Sequence, residues 1–87
     1  MKINYEFVKR KIAGEDFLVP IGEGALKYKG MFSLTEVAGF IWDMLSETED
    51  EKEIVKKICE EYEVSEETAT EDTREFLQVL REMGILE

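Results

Sequence analysis

Apolar and polar positions along this 87-residue chain change period once, near residue 34. Before that point the pattern is short and strand-like. In residues 5–12 the apolar residues Tyr5, Phe7 and Ile12 are separated by charge. Ala13-Gly14-Glu15-Asp16 reads as a turn, and Phe17-Leu18-Val19-Pro20-Ile21 as a second strand whose proline suits an end or an edge. Gly22-Glu23-Gly24 breaks the chain, and a third strand is expected over about residues 30–34, entered through Lys29-Gly30.

After residue 34 the period becomes helical. Thr35 is an N-cap candidate, with Glu36 in the first turn where the macrodipole favours a carboxylate. Leu34, Val37, Ala38, Ile41, Trp42 and Leu45 follow at helical spacing, and Phe40 and Met44 widen the apolar face. Gly39 costs about 1 kcal/mol in a helix interior, which points to close approach by another element. Thr48 with Glu51 fits a capping box for a second helix, whose stripe is Ile54, Val55, Ile58, Cys59 and Tyr62. Ser65 caps a third, with Ala69, Thr73, Phe76, Leu77 and Leu80 facing inward. Gly84 reads as the C′ glycine, with Ile85 and Leu86 folding back on the last turn. Three strands followed by three helices, with a tight turn before the last, predict an α+β domain with a winged helix-turn-helix-like plan. At this length one domain over residues 1–87 is expected.

Charge narrows the partners. Residues 1–34 carry six basic and four acidic side chains; residues 35–87 carry five basic and seventeen acidic. The formal net charge is −10. Residues 65–76 of the last helix, where a DNA reader would need Arg, Lys, Asn or Gln, offer Glu66, Glu67, Glu71, Asp72 and Glu75 against one Arg74. Nucleic acid is therefore not an expected partner, whereas a basic peptide would be steered toward this half. The plainer reading of the same charge is a solvated helix face. No apolar run is long enough to span a membrane. With no apolar segment behind the N-terminal charge and a single cysteine, a cytoplasmic setting is expected.

Catalytic chemistry is poorly provided for. There is no histidine, which removes the usual general base and the commonest metal ligand. Cys59 falls on an apolar stripe and reads as a small buried hydrophobe. The acidic clusters lack the spacing of a calcium loop, and Gly22-Glu23-Gly24 lacks the context of a phosphate-binding loop. A binding module is the expectation. An open three-stranded sheet has edges to which a peptide can add a strand. The third strand is the acceptor if it lies at an edge, with the third helix as the facing wall. Met31 and Val79 lie off the main inward stripe yet are apolar, which suits a groove.

The stretches AGEDFLVP (13–20), FSLTEVAGFIWDML (32–45) and EIVKKICEEYEVSEETATEDTREFLQVLREMGIL (53–86), in this order and spacing, resemble the PqqD-like family, the precursor-peptide recognition elements of ribosomal peptide modification. Thr35 stands where the family usually has Asn, which keeps an N-cap. The resemblance implies a non-catalytic protein with no cofactor of its own. It implies that the protein binds the leader segment of a ribosomally made precursor as a strand added to strand three, against helix three. It would then present the peptide to a modifying enzyme, often a radical S-adenosylmethionine enzyme. Carried onto this chain, the implied peptide-binding residues are Lys29, Met31, Phe32 and Ser33 on the strand side. On the helix side they are Ala69, Asp72, Thr73, Phe76, Val79 and Leu80. Of these, Phe32, Phe76 and Leu80 also read as plain core, and Asp72 as a favourable charge near a helix start. Two other readings stand beside this one: a winged-helix regulator acting through protein contacts or, less favoured, DNA, and a self-associating domain, a homodimer, using its open strand edge.

Overall fold

A computed structural model describes residues 1–87. The elements are β1 (Phe7–Ile12), β2 (Glu15–Pro20), α1 (Glu23–Lys27), β3 (Phe32–Leu34), α2 (Glu36–Met44), α3 (Glu51–Glu61) and α4 (Glu66–Glu82). The α+β plan expected from the sequence is present, with the strands in one antiparallel sheet of order β1-β2-β3. The β1–β2 hairpin turns on two residues, Ala13 and Gly14, both at positive φ (52° and 83°). That is the backbone of a type I′ turn, whose twist matches the flanking strands. Glu15 and Asp16 therefore belong to β2, not to the turn.

The five-residue α1 is an addition to the expected plan. Its sequence, EGALK, is made of good helix formers apart from Gly24. Gly24 lets it pack against the residue that precedes β1: a Cβ on Gly24 would lie 2.3 Å from the Glu6 carbonyl oxygen. Only glycine fits there. After it, Gly30 turns at φ 85° into β3, which begins at Phe32.

The three longer helices begin on polar caps. Thr35 accepts from the Ala38 amide at 3.0 Å and Ser65 from the Thr68 amide at 3.1 Å. The cap of α3 differs from the Thr48–Glu51 box: Asp50 accepts from the Lys52 amide at 2.9 Å. Thr48 instead accepts from the Asp50 amide and donates to Glu53. At the end of α4, Ile85 N donates to Leu80 O at 2.9 Å and Gly84 N to Arg81 O at 3.0 Å, the Schellman pair. That motif turns Ile85 and Leu86 into the core, and Leu86 bridges to Ile3.

The core lies between the sheet and the helices. Leu18 from the sheet meets Ile41 from α2, Ile54 and Ile58 from α3, and Leu77 and Leu80 from α4, all at most 2% exposed. Cys59, expected as a buried hydrophobe, is only half-buried at the margin of this core. Trp42 packs edge-on against Phe7, with ring centres 6.1 Å apart, and so ties α2 to β1. No helix is long and apolar enough to cross a membrane.

Candidate functional site

β2 is the central strand, so β3 is a sheet edge. The ladder determines which of its backbone groups are free. Ile21 N donates to Glu6 O at 3.0 Å, which makes Glu6 and Ile21 a hydrogen-bonded pair. Antiparallel pairs alternate between bonded and non-bonded. In the observed register, β2 thus turns the groups of Val19 and Phe17 toward β1, and those of Leu18 and Asp16 toward β3. Phe32 and Leu34 are the β3 partners of Leu18 and Asp16. Ser33 stands opposite Phe17 in a non-bonded pair, and its N–H and C=O point to the open edge.

Beside that edge lies a cleft of about 740 Å³. Met31, Phe32 and Ser33 form one lip. Val37, Ala38 and Ile41 of α2 form the floor. Phe76 and Val79 of α4 and its C-cap Met83 form the facing wall, with Asp72 and Glu75 beside them. Met31 is 52% exposed and Val79 45%, so apolar side chains stand open to water on both sides. Large apolar residues left exposed across a concave surface mark a binding groove.

Tyr28 sets the spacing of the two walls. Its hydroxyl donates to the Met83 carbonyl oxygen near the end of α4. Its ring packs edge-on against Phe32 at 5.8 Å and at a tilt against Phe7 at 5.4 Å. Burial pushes the phenol above its ordinary pKa, and nearby Tyr5 adds to the shift, so Tyr28 stays a neutral donor.

Of the residues singled out from the sequence, Met31, Phe32, Ser33, Asp72, Phe76, Val79 and Leu80 come together on the cleft. Three do not. Lys29 is exposed but off the lining. Ala69 and Thr73 are 0% exposed, and the Thr73 hydroxyl is taken by the Ala69 carbonyl oxygen at 2.8 Å. Their side chains belong to the core behind the groove, as their place on the inward stripe of α4 requires. Val37, Ala38, Glu75 and Met83 join the cleft without having been singled out as site residues. The available signal for Val37 and Met83 was their position beside the strand edge and the helix end. Glu75 lies one turn from Asp72 on the same helix face.

The opposite edge of the sheet is unlike this one. β1 carries Lys9 and Lys11, charges of the kind that discourage strand addition. Lys9 reaches Asp43 of α2 at 2.5 Å.

The comparisons with known proteins bear on the family and the fold. The family model described as "Coenzyme PQQ synthesis protein D (PqqD)" matches residues 22–86. Among curated proteins, no sequence matches significantly. A solved structure titled "TbiB1 in Complex with the TbiA(beta) Leader Peptide" superposes with a TM-score of 0.74 at 36% sequence identity, covering 100% of this chain and 95% of that one. The cleft beside a free strand edge thus sits in a protein that belongs to the PqqD family.

Proposed function

We propose that the protein binds the leader segment of a ribosomally made precursor peptide as a strand added to β3, in the cleft against α4. One observation carries this reading: the free N–H and C=O of Ser33 lie at the lip of an open apolar cleft. Main-chain bonds at the edge would supply affinity, and side chains entering the cleft would supply selectivity. The TbiB1 structure, which holds a leader peptide on the same fold, supports it.

The protein then acts as a carrier, not a catalyst. It holds the leader while the rest of the precursor reaches a separate modifying enzyme, of the radical S-adenosylmethionine class in our reading. No group of side chains here is arranged to hold a metal ion.

An amide NMR titration with the leader encoded nearest the gene, against a scrambled control, tests this. Specific binding shifts the resonances of residues 31–34 and 75–83. If the true leader moves none of them, the reading fails. A concentration-dependent doubling of mass with the same shifts and no peptide would favour self-association at this edge instead.

A further inference from the structure

The geometry points to the chemical class of segment this groove selects: an extended stretch with apolar side chains at alternate positions and one Lys or Arg on the same face, read by Asp72 and Glu75. The inference rests on the strand-addition reading above and adds the specificity to it.

Strand parity gives the first part. The ligand residue opposite Ser33 turns its side chain to the outer face of the sheet, as Ser33 does. Its neighbours, opposite Phe32 and Leu34, turn theirs toward α2 and α4. Every second side chain of the ligand therefore enters the cleft.

The cleft is not uniform along its length. The Tyr28–Met83 bond and the Tyr28–Phe32 packing join the Phe32 end of β3 to the C-terminal end of α4. There the wall is Val79 and Met83, and the site is apolar. Asp72 and Glu75 occupy the other end. Asp72 precedes Val79 by two helical turns, about 10 Å of axis. An extended strand covers that in about three residues. Same-face parity then places the cationic residue two or four positions from the apolar anchor.

Neither carboxylate has a cationic partner within the chain. The ion pairs formed are those of the N-terminus with Glu49, Lys2 with Glu87, Lys9 with Asp43, Lys11 with Asp16, and Lys57 with Glu60. Asp72 is half-buried and Glu75 exposed, beside an apolar wall that lowers the local dielectric. A ligand cation would be the first to pair with them.

Selection from a display library of short random peptides, run against the full chain, tests this. It is run in parallel on Asp72→Asn/Glu75→Gln and on Glu71→Gln/Glu82→Gln. The latter changes the net charge equally, at exposed α4 positions outside the cleft. Wild type and the second variant should enrich alternating apolar residues with a same-face Lys or Arg. The first variant should keep the apolar alternation and lose the cation, with binding of a basic wild-type clone weakened about fivefold. An unchanged cation preference in the first variant, or none in wild type, overturns the inference and leaves strand addition standing. If no enriched peptide shifts the amides of residues 31–34, strand addition itself falls.

Discussion

The carboxylate of Asp16 occupies the space that a side chain on Gly39 would need: a Cβ there would lie 2.8 Å from Asp16 Oδ2. Asp16 is buried in the central strand, and Lys11 Nζ holds its other oxygen at 3.2 Å. The glycine that weakens α2 is thus what lets the helix sit against the sheet and form the floor of the cleft.

Gly39→Ala should be destabilising. Helix propensity alone predicts a gain of about 1 kcal/mol. The short, anchored carboxylate has little room to give, so overpacking of about 1–3 kcal/mol outweighs that gain. Urea denaturation measures it. Combining the change with Asp16→Ala should recover part of the loss, a non-additivity that two independent sites would not show.

Ala13→Asn should stabilise the fold. Ala13 is the one non-glycine residue at positive φ, where a Cβ is disfavoured. Asn-Gly is the preferred type I′ pair, and the expected gain is about 0.5–1 kcal/mol, read as a higher Tm. No change in Tm would mean the turn relaxes to another type in solution.

Proline should separate binding from folding on β3. In Ser33→Pro the lost N–H faces the open edge, so the sheet keeps its bonds while an added strand loses one. Peptide affinity should drop at least about tenfold, with only a modest fall in stability. In Leu34→Pro the lost N–H faces Asp16, and the fold should lose about 3 kcal/mol. Equal effects from the two would contradict the derived ladder.

Stability should fall at alkaline pH. The Tyr28 phenol is raised above its ordinary value of 10.0 by burial first and Tyr5 second. Tyr62 is raised by burial first and by Glu36 and Glu61, partly opposed by Lys9. A raised folded-state pKa means that the neutral form is favoured in the fold. Its contribution is complete below about pH 10 and is lost as pH climbs through the folded value. Tyr28→Phe should cost about 1 kcal/mol at neutral pH through the lost bond to Met83, and should flatten the alkaline decline. A decline unchanged in that variant would assign it to other groups.

Features set by residues a few positions apart were legible in the chain. The caps at Thr35 and Ser65, the Gly84 stop with Ile85 and Leu86 folded back, and the helical stripes all depend on local bonds and on the 3.6-residue period. So did the acidity of α4. The misplaced cap of α3 shows the limit of local reading. Thr48 and Asp50 are both competent, and only the built turn selects Asp50.

What the tertiary structure alone decided is where surfaces from distant segments meet. α1 sits where it does because Gly24 can lie against Glu6, a contact across the chain that no propensity encodes. β3 has a free edge because β2 is central, with Ser33 turned outward by the register it shares with Phe17. The same inward periodicity that ran through Ala69, Thr73, Phe76 and Leu80 split in space. Ala69 and Thr73 face the filled core, whereas Phe76 and Leu80 reach the cleft. A sequence period gives the direction of a side chain from its own helix. Whether that direction ends in packed atoms or in an open groove depends on the neighbouring element, and here Tyr28 and Met83 set that distance.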